Sequence, residues 1–162
     1  MVGEALAACQ AYQRTAQGHD ILYADIGLAQ AYIYNEQPKL AHEILENLLL
    51  YHSEIDTLSL GTILFDLGKI EYTFSKDYDK AEAYFNQLLA LNDEAIEEGV
   101  FWFKGRINEF RKHSDTAKHY YEKAMQGYDE VYLQYNCARS LLYLTLDSTA
   151  QPELYGYIKR FE

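Results

Sequence analysis

Proline is scarce in this chain, with 2 residues, and glycine contributes only 9. So few chain breakers exclude a turn-rich sheet protein and favour long helices. Cysteine is almost absent: Cys9 and Cys137 lie far apart with no CxxC spacing, which leaves no disulfide framework and no zinc motif, and both read as buried reduced thiols. Positive charge is short as well. Fourteen Lys and Arg stand against 25 Asp and Glu, a net charge of −11, and such a field repels phosphate backbones and anionic membranes. No hydrophobic run is long enough for a membrane span; stretches such as ILENLLLY fall far short. The start, MVGEALAACQ, has neither the basic residues nor the apolar core of a secretory signal. The expected setting is the cytoplasm, with neither nucleic acid nor membrane as partner.

What is present is apolar and aromatic. Of 162 residues, 49% are apolar and 16 are tyrosine, enough for one soluble domain with a sizeable core. The expected fold class is all-α, packed through large amphipathic side chains.

The stretch KDYDKAEAYFNQLLAL supplies a ruler: Ala81, Phe85 and Leu88, four and three residues apart on one helical face. The same spacing recurs at Ala41, Leu45, Leu48 and at Ala117, Tyr121, Ala124, and more weakly at Ala5, Cys9, Tyr12 and at Ala150, Leu154, Tyr157. The leading small residues are separated by 36, 40, 36 and 33 positions. A small residue lets two helix backbones approach, and the larger side chains one and two turns on fill the groove so made. Twelve residues before each leading alanine, a partner helix should carry its own small residue; Ala29, Gly105 and Ala138 stand there, but the second unit has Lys69. Its neighbour Gly68 suits the role better, which requires one extra residue in the following TFSKDYDK turn.

Each unit thus reads as two antiparallel helices. First helices are expected near 21–35, 55–75, 93–112 and 128–146, second helices near 38–52, 78–91, 114–127 and 151–161, after a leading helix near 3–17. The helix pairs then cover 21–52, 55–91, 93–127 and 128–161 within a single domain, 1–162. Pro38 and Pro152 suit the first turn of a helix, and Ser53 and Ser114 suit caps.

A small residue in the first helix, a polar-aromatic turn such as KDYDKA, then Ala, aromatic and Ala or Leu in the second: this pattern resembles the tetratricopeptide repeat family. The likeness covers roughly 21 to 161 and is strongest around Ala81 and Ala117. Some intervals exceed the family's usual repeat, the proline between repeats is missing, and Asn108 occupies an aromatic position. The resemblance implies a right-handed superhelix of helix pairs, an α-α solenoid, whose first helices line a concave groove that binds protein segments.

If so, the residues next to each small packing residue face the groove. They are Gln30 with Ile26 and Tyr23; Lys69 or Ile70 with Phe65 or Asp66; Arg106 with Trp102 and Phe110; and Arg139 with Tyr132, Tyr135, Asn136 and Tyr143. Arg106 and Arg139 on neighbouring helices would form a positive strip with roughly a helix spacing, about 8–10 Å, between them. Guanidinium groups grip carboxylates in bidentate fashion, tyrosine and tryptophan give rigid contact area, and an asparagine bonds a peptide backbone. The expected partner is a protein or peptide carrying an acidic group or a C-terminal carboxylate. Weighed beside it, and ahead of it, is a plain structural role, in which the arginines pair with Glu109, Glu130 or other carboxylates and the aromatics fill gaps between helices.

Catalytic motifs are missing. There is no Gly-rich phosphate loop, HExxH or GxSxG. His113 and His119 are the closest histidine pair but sit on different helical faces, and Asp93–Glu94 and Glu97–Glu98 read as helix-start charges. Neither metal nor cofactor is expected, and no enzyme. The apolar stripe Leu154, Tyr157, Ile158, Phe161 and the leading helix leave three options: a homodimer through the ends, membership of a longer array, or inward packing. The leading expectation is an adaptor or a regulatory or sensor module. A secretion chaperone of tetratricopeptide type is the alternative, and an enzyme a distant third.

Overall fold

The structure, a computed structural model, describes residues 2–18, 20–51, 55–91, 94–126 and 131–145. These residues form eight α-helices and one π-helical turn, with no strand among them: α1 Val2–Thr15, α2 Asp20–Tyr34, α3 Pro38–Tyr51, α4 Thr57–Ile70, the π-turn Glu71–Ser75, α5 Tyr78–Leu89, α6 Glu94–Phe110, α7 Ser114–Gln126 and α8 Val131–Leu144. The protein is all-helical. The helix expected at 151–161, the cap Ser53 and the stripe from Leu154 to Phe161 lie outside the described residues.

The chain divides into two compact units, Met1–Leu91 and Asn92–Glu162, at the junction that the repeat spacing places between the second and third helix pairs. In the first unit α1 packs on α2, α2 on α3, α4 on α5, and α4 also touches α2 and α3. In the second, α7 packs against both α6 and α8.

The repeat spacing becomes core. Ala41, Leu45 and Leu48 on α3, Ala81, Phe85 and Leu88 on α5, and Ala117, Tyr121 and Ala124 on α7 are all buried. The small residues opposite them explain why. A Cβ added to Gly68 would stand 2.5 Å from Phe85 Cε1, and one added to Gly105 would stand 2.6 Å from Tyr121 Cε1. Glycine lets these two rings come this close to the neighbouring backbone. Each such side chain contributes on the order of 1.5–3 kcal/mol by leaving water. The leading helix behaves differently: Ala5 and Tyr12, which share the spacing in sequence, lie exposed on α1. Ile26 and Ile70, read from sequence beside the groove residues, are core side chains that pack with Leu45, Leu48 and Leu67.

All three helix pairs that are described on both sides turn through one device. Glu36, Lys76 and Lys112 each adopt a left-handed conformation, with φ of 55°, 58° and 62°. The next residue's N–H reaches back to a carbonyl: Gln37 to Tyr32 at 2.8 Å, His113 to Asn108 at 2.9 Å, Asp77 to Glu71 at 3.1 Å. That bond closes the helix end. Then Ala41, Ala81 and Ala117 donate to the carbonyls of Gln37, Asp77 and His113 as the second helix begins. The middle turn spans one residue more than the other two, and the π-turn absorbs it. This is where the extra residue required by Gly68 sits. Asp77 caps α5 by accepting from the Lys80 N–H at 3.1 Å, and Asp56 caps α4 through the Ser59 N–H and hydroxyl at 2.9 and 2.6 Å.

Candidate functional site

The first unit brings three of its first-helix polar residues together. Gln30 on α2 donates its amide to Asp66 Oδ2 on α4 at 3.0 Å. One turn beyond Asp66, the Lys69 ammonium lies 5.4 Å from the centre of the Tyr34 ring, within cation–π reach. These four residues and Ile33 surround a small hollow of about 80 Å³. Asp66 is buried, and loss of water raises its pKa above the usual carboxylate value, against the lowering effects of the Gln30 bond and the Lys69 charge. Tyr34 itself is 75% exposed. Sequence reading placed Gln30, Lys69 and Asp66 on this face but missed Tyr34, four residues beyond Gln30 and therefore one helical turn along the same side.

In the second unit the picture is more structural. Arg106 Nη1 contacts Glu109 Oε2 at 2.9 Å, and the Tyr121 hydroxyl donates to the same oxygen at 2.5 Å. Burial, then that bond, raises the Tyr121 pKa above the ordinary phenol value. The pairing of Arg106 with Glu109, left open by the sequence, is present. Trp102 is half-buried, packs on the α7–α8 core and meets the Phe103 ring edge-on at 4.9 Å. Arg139 is exposed on α8, with its guanidinium 5.7 Å from the Tyr135 ring centre. Asn136 is half-buried beside it. The Tyr132 side chain and Glu130 lie outside the described residues.

A third location carries a cavity of about 510 Å³, and Ile70 is the groove candidate among its lining residues. It opens among the start of α3, the π-turn and the start of α5. At its base Glu71 is buried, and His42 Nε2 on α3 stands 3.1 Å from Glu71 Oε1. Glu71 occupies the same place relative to Gly68 as Asn108 does to Gly105, and Asn108 is also buried, donating to the Lys104 carbonyl at 2.9 Å. A carboxylate in the apolar run LGKIEY was the sequence signal for this site. Among the described residues no group of three or more His, Cys, Asp or Glu is arranged to hold a metal ion. No helix among them is long and apolar enough to cross a membrane. Cys137 is buried, and burial pushes its thiol pKa up to about 12.

No family model matches this chain, and no solved structure matches it. Among curated proteins it is similar to a probable cytoplasmic tyrosine–tRNA ligase of Vairimorpha ceranae, 28% identical over 106 residues. The match covers 65% of this chain and 32% of that protein, so the chain spans about a third of the relative's length.

Proposed function

We propose that the chain is a non-catalytic, cytoplasmic protein-interaction module, an adaptor or regulatory domain whose helix pairs form a tetratricopeptide-like solenoid and whose first helices bind a peptide or protein segment. One observation carries this reading. Among the described residues beyond α1, the exposed aromatic side chains are Tyr23 and Tyr34 on α2, Phe74 on the π-turn that prolongs α4, Phe110 on α6 and Tyr143 on α8. Every one belongs to a first helix. Among the tyrosine, phenylalanine and tryptophan side chains whose burial is described, none on α3, α5 or α7 is exposed; the Tyr51 side chain at the end of α3 lies outside them.

Core packing does not account for such a bias, because exposed rings gain nothing from the interior. Tyrosine and phenylalanine left in water on one set of helices supply the contact area by which protein surfaces recognise partners. Beside them stand Lys69, Gln30 and Arg139, able to meet a carboxylate or a peptide amide. A segment with acidic and aromatic residues fits this chemistry, and in a protein of net charge −11 the few cations on these helices would set its orientation.

The test is a selection of binding peptides from a displayed library against the full chain, followed by fluorescence anisotropy with variants. Tyr34→Ala, Phe110→Ala and Tyr143→Ala should each weaken binding of the selected peptides by about tenfold. Leu50→Ala, an exposed position on a second helix, should not. Loss confined to the Leu50 variant, or no enrichment of any peptide, overturns the reading.

A further inference from the structure

The cavity beside the π-turn is separate from the first-helix faces, and its polar groups are sorted by depth. The Glu71 side chain is 6% exposed, whereas Lys80 on α5 is 67% exposed. Lys39, at the start of α3, is also exposed. The deep charge is the Glu71 carboxylate, while the outer part carries two ammonium groups, Lys39 and Lys80, against one carboxylate, Asp77, which is 39% exposed. Between them the wall is apolar, formed by Pro38, Ile70 and Phe74. The starts of α3 and α5 both border the mouth, and their N-terminal dipoles add to its positive character.

His42 engages only Oε1 of Glu71. No donor among the described residues meets Oε2. A carboxylate oxygen that opens onto a cavity from an otherwise buried side chain favours an incoming donor, and a charged donor most of all. An ammonium group satisfies it. The mouth asks for the opposite charge, and Lys80 is held only loosely by Asp77, at 3.6 Å.

We infer that this cavity binds a small zwitterion with an apolar side chain: the α-ammonium group at Glu71, the carboxylate between Lys39 and Lys80, and the side chain against Ile70 and Phe74. A free apolar or aromatic amino acid has this chemistry, and so does the N-terminal residue of a peptide, apart from its adjacent carboxylate. A purely anionic ligand would bring its apolar end against the carboxylate at the base. A purely cationic one would have to pass two lysines. The volume of about 510 Å³ lies within the range of small-molecule sites, roughly 300–1,000 Å³. The inference is independent of the peptide-binding proposal, since it uses none of the same side chains except Phe74.

Isothermal titration of the full chain with four probes decides it: L-phenylalanine, 3-phenylpropionate, which lacks the amine, phenethylamine, which lacks the carboxylate, and phenylalanylglycine, which mimics a peptide N-terminus. Phenylalanine should bind with a Kd of about 1 mM or tighter. Removing the amine should cost at least about tenfold and removing the carboxylate about three- to tenfold. The dipeptide binding more tightly than the free amino acid would assign the site to peptide N-termini, and the reverse to free amino acids; either supports the shared chemistry. Glu71→Gln should abolish the preference for phenylalanine over 3-phenylpropionate. If circular dichroism shows that variant unfolded, Phe74→Ala takes its place and should weaken phenylalanine binding several-fold. Equal affinity for phenylalanine and 3-phenylpropionate, no binding of any probe, or unchanged binding in a folded variant overturns the inference.

Discussion

Between Asn108 and His113 the chain leaves α6 and prepares α7 in five steps, while between Glu71 and Asp77 the corresponding passage from α4 to α5 takes six. Both passages end in a left-handed lysine, Lys112 or Lys76. Both follow a glycine on which an aromatic ring from the second helix rests. The extra residue changes what surrounds the joint rather than the joint itself. It is taken up as a π-turn, a feature that often accompanies functional sites because it redirects side chains without ending the helix. Beside that turn lies the cavity of about 510 Å³ that Glu71 lines. The lesson is that a repeat can keep its packing positions fixed and vary its chemistry by one inserted residue at the helix end.

The comparison breaks most severely if the two rings are not equivalent. Phe85→Ala and Tyr121→Ala should each cost about 3–5 kcal/mol, read from urea denaturation. A loss below about 1 kcal/mol at either position would mean that its helix pair does not depend on the ring. Gly68→Ala and Gly105→Ala should cost less, about 1–3 kcal/mol each, because the ring can shift partway from the new methyl. Similar losses at both would sharpen the equivalence; a neutral result at one would show that its ring moves freely.

Deleting Thr73, an exposed residue of the π-turn, should convert the six-step passage to five. The expected outcome is retained helicity by circular dichroism, a smaller stability change than for the glycine substitutions, and loss of the small-ligand cavity. Collapse of the fold would show that the extra residue is needed for packing.

The smallest effect concerns Asp66. Desolvation raises its pKa in the folded chain, so the folded state disfavours its charged form. Below the ordinary carboxylate value of 3.8 the residue is neutral in both states and costs nothing. As pH rises through that value, the unfolded chain ionises first and stability falls, until the folded carboxyl has also ionised. Asp66→Asn should therefore match the parent at low pH and exceed it slightly at neutral pH. A parent with the same stability as the variant at every pH would contradict the burial cost.

Much of the packing was legible from sequence because it obeys one period. Ala41, Ala81 and Ala117 announce themselves by spacing, and Gly68 by the neighbour that fails to fit. The π-turn was foreshadowed as a surplus residue, but its helical form was not, since a surplus residue can equally loop outward. The proposed binding surface was harder. Arg106 looks identical in sequence whether it faces a ligand or Glu109, three residues along the helix, and only geometry separates the two. His42 and Glu71 lie 29 positions apart, and nothing local joins them. Exposed and buried tyrosines share one letter, so the bias of the aromatics toward the first helices could not be seen before burial was known.

The helix contacts carry a further consequence, in kinetic terms. α1 meets α2, α2 meets α3, α4 meets α5, α6 meets α7 and α7 meets α8, so most partners are already close along the chain. Little loop entropy is lost before such contacts form, and proteins built this way fold on the microsecond to millisecond scale. Within each unit, most helices find a docking surface on a neighbour along the chain.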